Sequence, residues 1–523
     1  MSSTTQHDAS RRGPAIGQKP SASPGREGQF NYLLLSDVHL GSDIIPHMRP
    51  WAKESWLLHE AEVDAHLVGL LEHYRRERDP ERPWCLILAG DFVDLVGVSI
   101  SPESPLRTEP TRDERVYGLG SASDHVVQKM RAIADRHVSV FRALADFVAD
   151  GHRLVVVRGN HDVELHWHAA QRAFVKSITQ HAPREQREGM RSRIEICPWF
   201  FVVDGLLYVE HGHEFDAMCS YGDPLMPTCM RDPRRINATP FSVLLRQVAR
   251  PTRGLRAAGY QYVGMGEYLR LLVHLGVRGS VRIAGHFARA SYLLLRECYT
   301  SLVVRKPRRE RNARARHELF AARKGVCSST LERLRQLYVA PATKSFGAVL
   351  RSLYLDRVLT SILALAVGGC GILVAERADL LPVGSCLLLS LLLLMYTLLG
   401  GGKNTSPTER MRRSAAKIAA LFGTRYVVMG HTHEPVFDEV APDVRYVNLG
   451  SWGEDDPPEE RGAHDVPSPC SFMQLRYQHG DYQCQFLRWD SRRGPVPFHV
   501  PTPLSASEQP GFAPAGPYSA AQG

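Results

Sequence analysis

The chain has 523 residues, 44% hydrophobic and 23% charged, which excludes wholesale disorder and, at this length, a small disulfide-stapled module. Lys and Arg total 64 against 55 Asp and Glu, a net charge of +9 that suits anionic surfaces or phosphorylated substrates without requiring either. Ten Cys with no C-x-x-C pair, and a start without an apolar signal core, favour a reducing compartment.

Residues 1–29 and 496–523 are rich in small, polar and proline residues and are expected to be disordered, because they cannot bury enough apolar surface to offset their ordering entropy. Between them, Tyr32–Leu35, Cys85–Ala89 and Leu154–Val157 read as buried strands. Helical patterns over Trp56–Arg76 and Ser123–Ala149 separate them, the second halted by Gly151. That is a βαβαβ opening. Phe200–Val203 and Leu207–Glu210 read as strands, as do Tyr426–Met429, Arg445–Leu449, Phe472–Tyr477 and Gln483–Trp489 near the other end. The pattern implies an α/β core made of residues 30–216 and 420–495, interrupted by a helical insertion over 217–419.

Within the insertion lie two uncharged runs, Val358–Ala375 and Leu380–Leu399, parted only by Glu376, Arg377, Ala378 and Asp379. As helices they would measure about 27 and 30 Å, enough to cross a bilayer core. The expectation is a two-helix transmembrane hairpin over 358–399. Lys344, Arg351 and Arg357 on one flank, and Lys403, Arg410, Arg412, Arg413 and Lys417 on the other, outnumber the single Arg of the turn. The positive-inside rule then places both flanks, and the rest of the chain, on the cytoplasmic face of a membrane, with a bacterial inner membrane the best match.

Five of the strand-like runs are followed by residues of metal-ligand type. In chain order they are Asp37-Val-His39, Gly90-Asp91-Phe-Val-Asp94, Gly159-Asn160-His161-Asp162, His211-Gly-His213-Glu214 and Gly430-His431-Thr-His433. One such block is weak, but five at strand ends meet the needs of a paired cation centre. Two divalent ions about 3.5–4 Å apart require a shared anionic ligand and enough neutral donors to leave room for water and substrate oxygens. Residues i and i+2 of a strand-end loop can point the same way, which suits Asp37 with His39 and His431 with His433.

Taken in order, these blocks resemble the calcineurin-like metallophosphoesterase superfamily, whose pattern is D-x-H, G-D-x-x-D, G-N-H-D/E, a later H-G and G-H-x-H. The match spans about half the chain. The resemblance implies a four-layer αββα sandwich, with one metal held by Asp37, His39, Asp91 and His433 and the other by Asp91, Asn160, His211 and His431. Asp91 would bridge. His161 matches the family's histidine that approaches the scissile phosphate without binding metal, and Asp94 matches the carboxylate that orients it. Asn448-Leu-Gly450-Ser451 resembles a supporting turn of the family. The implied activity is phosphoester or pyrophosphate hydrolysis by attack of a metal-bridging hydroxide on phosphorus. Ligand type favours manganese, with iron or zinc as alternatives, over magnesium. The insertion falls where UDP-2,3-diacylglucosamine hydrolase-like enzymes carry a lipid-handling cap, which suggests a lipid-linked substrate. Those enzymes usually have Arg where this chain has His161, so the substrate itself is not carried over.

Rival readings are a phosphodiesterase or nucleotidase acting on soluble substrates, a nuclease, and an inactive binding scaffold; the filled ligand positions argue against the last. Arg305–Arg316 is a basic run that reads as a solvated helix face or a contact for anionic headgroups sooner than for nucleic acid. His213 suits either substrate contact or support of the ligands. Arg158 suits a phosphate or the sheet edge, Asp162 a loop-stabilising acceptor, and Asp43 a surface turn.

Overall fold

The computed structural model describes residues 30–45, 50–77, 81–252, 265–303, 307–353, 366, 388–392, 406–453 and 470–500. Two mixed sheets form the centre. Four parallel strands, β1 (Asn31–Leu35), β2 (Trp84–Ala89), β3 (Arg153–Val157) and β4 (Ile194–Cys197), lie side by side in that order. Beyond β1 the first sheet continues through antiparallel β10 (Ser471–Gln478), β11 (Asp481–Asp490) and β12 (Gly494–Pro497). The ordered sheet thus runs two residues past the boundary expected at 495. The second sheet has the order β5 (Phe200–Val203), β6 (Leu207–Glu210), β7 (Tyr426–Met429), β9 (Val444–Asn448), β8 (Val436–Ala441), with β6, β7 and β9 parallel.

Alternation along the strands builds the layers. Leu33, Leu35, Leu86, Leu88, Leu154 and Val156 face the helices Pro50–Arg76, Ser123–Arg136, Val138–Ala149 and His168–Thr179. Their neighbours Tyr32, Leu34, Ile87, Val155 and Val157 point the other way, against Val203, Val209, Val428 and Val447 of the second sheet. The far face of that sheet, with Phe200, Tyr208, Val427 and Tyr446, is covered by Met411, Ala415 and Ile418 of helix Pro407–Phe422 and by Phe320, Leu331 and Leu334 of the insertion. The layers therefore run helices, sheet, sheet, helices. Strands covered on both sides are apolar throughout, which is why β1, β2 and β3 stand out in the sequence as continuous runs.

The expected transmembrane hairpin is corrected. Among the described residues no helix is long and apolar enough to cross a membrane, and the membrane location inferred from the hairpin falls with it. The runs Val358–Ala375 and Leu380–Leu399 lie outside the described residues, apart from positions 366 and 388–392. An uncharged run of bilayer length meets a necessary condition for a span, but apolar segments packed against protein meet it equally. The longest described helix, Met265–Val303, has 39 residues and leaves helical geometry at Gly276 (φ 63°). It carries Arg278, Arg282, Arg289 and Arg296, so its length does not make it a span. The helix expected over Ser123–Ala149 is two helices, which break at His137 (φ −109°, ψ 40°).

Candidate metal centre

All five blocks meet at the carboxyl ends of β1, β2, β3, β6 and β7. The β1 and β2 loops are fastened by backbone bonds from Asp37 N to Gly90 O (3.2 Å) and from Val38 N and His39 N to Asp91 O (both 3.0 Å). Of the eight non-glycine residues with positive φ among the described residues, five are Asp37, His39, Asp91, His431 and His433. Left-handed backbone costs energy at residues with a side chain and is kept where surrounding structure enforces it, commonly at functional sites. Glycines let the loops close up. A Cβ on Gly90 would strike the His211 ring, and one on Gly159 would strike Asp91 Oδ1.

Two groups of donor atoms result. In the first, His433 Nε2 lies 3.2 Å from both Asp37 Oδ1 and His39 Nε2, and the last two are 3.7 Å apart. Donors bound at about 2.1 Å to one ion sit roughly 3.0–3.5 Å from each other. In the second, His211 Nε2 lies 3.0 Å from Asp91 Oδ2 and 3.1 Å from Asn160 Oδ1. His211 Nδ1 must donate to the Ala89 carbonyl at 3.0 Å, so Nε2 presents a lone pair toward two oxygens unless a proton or a cation lies between. Asp91 belongs with His39 and His161 on one side and with Asp37 and His211 on the other. These residues fit a pair of divalent cations sharing Asp91.

Electrostatics agrees with the fit. Burial would raise the Asp91 carboxyl, but the His211 and His161 imidazoles hold it well below the usual carboxylate range. Against the opposing effect of burial, the carboxylates of Asp91 and Asp37 push His211 up to about 9. The cluster holds positive charge tightly, as a cation site must. The His431 ring stands 5.3 Å from that of His211, and its Nε2 is 3.3 Å from Asp216 Oδ2. Asp216 therefore fixes one nitrogen of His431 as the Ala89 carbonyl fixes one of His211.

His161 borders these groups and is engaged by partners of its own. Its Nδ1 is 2.8 Å from Asp94 Oδ1, its ring meets His39 edge-on at 4.4 Å, and Phe241 packs 5.0 Å away. Asp94 also accepts from Gly97 N at 2.7 Å and from Arg250 Nη2 at 2.9 Å. Burial disfavours charge on His161, but Asp94 outweighs it and raises the imidazole above its ordinary value.

The remaining candidates are supports. Asp162 accepts from Gly159 N (2.6 Å) and Phe92 N (3.0 Å), stapling the β3 loop to the β2 loop. Asn448 donates to Gly430 O at 2.8 Å, and Ser451 Oγ donates to Asp37 O at 3.1 Å. Arg158 donates to the Pro224 carbonyl, tying the sheet edge to the insertion. His213 is buried, with its ring 5.5 Å from that of His211. Asp43, expected at a surface turn, is buried and bound by Arg136. In the basic run, Arg309 and Arg316 hold backbone carbonyls of Met226, Thr228 and Leu225, while Arg311 and Arg314 are exposed. Three contributors escape sequence reading: Arg250 and Phe241, which look like any other insertion residues, and Asp216, whose place five residues after His211 was the one available signal. No protein-family model matches the chain, and no curated protein does.

Proposed function

We propose that the protein is a metal-dependent phosphoester hydrolase. The observation that carries this reading is the sharing of Asp91 between two donor groups, three residues from a buried carboxylate–imidazole pair. Two divalent ions bound there would supply Lewis-acid stabilisation and an activated water. Asp37, His39 and His433 would bind one ion, Asn160 and His211 the other with His431 beside them, and Asp91 both. His161 keeps its Nδ1 proton against Asp94 and so offers Nε2 to the substrate, as proton donor to a leaving oxygen or as stabiliser of its charge. Arg250 and the Gly97 amide hold Asp94 ionised and oriented for that task.

A cavity of about 410 Å³ lies between residues 111–121 and the insertion, where Arg235, Arg246, Arg289, Glu114 and Glu164 share its wall with Val96, Tyr117, Val163, Tyr221, Ile236 and Leu293. A wall of mixed charged and apolar residues does not by itself choose between a polar and an acyl group. With the hairpin withdrawn, the argument for a lipid-linked substrate goes with it, and soluble phosphoesters are the class to test first. The test is turnover by chelator-stripped and manganese-reconstituted protein on phosphomonoesters, phosphodiesters and pyrophosphates, each in soluble and lipid-linked form. Manganese-dependent turnover of a soluble ester is expected. Turnover that survives stripping, or none on any substrate with metal bound, would refute the proposal.

A further inference from the structure

A second group of buried donors lies beneath the first metal-ligand loop. Asp43 is four residues past His39, Glu60 is on helix Pro50–Arg76, and His137 is at the break between helices Ser123–Arg136 and Val138–Ala149. Their exposures are 7%, 1% and 0%, and one donor atom of each lies within 4.8 Å of the others. A partner already holds the other atom of each. Arg136 Nε donates to Asp43 Oδ2 at 2.8 Å, Ser42 Oγ to Glu60 Oε1 at 3.0 Å, and His137 Nδ1 lies 2.9 Å from Asp64 Oδ1.

Two of the inward-facing atoms lack a hydrogen-bond partner. Asp43 Oδ1 and His137 Nε2 are 3.8 Å apart, too far for a hydrogen bond, and neither has another. Because the Asp64 carboxylate accepts, Nδ1 of His137 carries the proton and Nε2 is left as the ligating nitrogen, the carboxylate–histidine arrangement that orients metal-binding imidazoles. With neutral His137, the carboxylates of Asp43, Glu60 and Asp64 against Arg136 leave a charge of minus two, which one divalent cation balances.

We infer that Asp43, Glu60 and His137 form a third divalent-cation site, structural in role and separate from the strand-end centre. Two carboxylates with one imidazole suit zinc, manganese or iron better than magnesium or calcium. The ion would tie the loop bearing Asp37 and His39 to the helix Pro50–Arg76 and to the break at His137, bracing the catalytic loop from behind. This inference stands whether or not the strand-end centre hydrolyses phosphoesters.

Anomalous diffraction from crystals of the unaltered chain grown with zinc tests it directly. An anomalous peak among Asp43, Glu60 and His137, distinct from any peak near Asp91, is expected; no peak there would overturn the site and leave a proton-bridged cluster. Metal analysis gives a second reading in solution. Asp91→Asn protein should keep one firmly held ion per chain, and adding Glu60→Gln or His137→Gln should remove it. An ion count unchanged by both substitutions in folded protein would also overturn the inference, and should these variants not fold, the anomalous map decides alone.

Discussion

The Asp91 carboxylate sits among His39, His161 and His211, and its Oδ1 accepts from the His161 amide at 2.8 Å. Asn in its place keeps the size and removes the charge that would offset repulsion between two cations. Asp91→Asn should therefore lose both strand-end ions, and nearly all hydrolysis with them, while the protein stays folded. Metal analysis and turnover of the purified variant check this; two strand-end ions and near wild-type turnover would remove the bridge. His161 has the opposite expectation. His161→Ala should retain those ions and slow turnover by about 10²–10⁴, the usual contribution of a positioned acid. Loss of one ion on that substitution would make His161 a ligand.

At the scale of elements, β6 is joined to the insertion through Glu210, whose Oε2 accepts from Tyr338 Oη at 2.6 Å. Burial pushes this carboxyl from 4.5 up to about 7. Between those values the unfolded chain has lost the proton and the folded chain still holds it, so stability falls as pH rises through the window and levels off above about 7. Glu210→Gln has no such proton. Its stability relative to wild type should improve by on the order of 1–3 kcal/mol between pH 5 and pH 8, as read from denaturant unfolding at both values; parallel curves would contradict the shift. The elements legible in the sequence are those covered on both sides. Strands β1, β2 and β3 are continuous apolar runs, whereas β4 and β8 escaped because Glu195, Asp438 and Glu439 interrupt short, half-exposed strands. His137 splits a helix whose apolar spacing runs on without a break, and no spacing rule shows that its imidazole is bound to Asp64. The strand-end blocks were legible because each donor residue follows its strand within a few positions, while Arg250 reaches Asp94 from 156 positions away.

For the whole molecule, sequence patterning misjudged what the apolar part of the insertion implies. Hydropathy reports that a segment avoids water and is silent on whether lipid or protein receives it. The described insertion helps build the site, through Phe241 against His161 and Arg250 on Asp94. That makes it part of the catalytic architecture in this account. The claim on which the rest depends is that Asp91 joins two cations, and electron paramagnetic resonance of chelator-stripped protein reloaded with manganese tests it most directly. The account predicts the spectrum of an exchange-coupled manganese pair, absent from Asp91→Asn protein. Only isolated six-line signals at saturating manganese would contradict it.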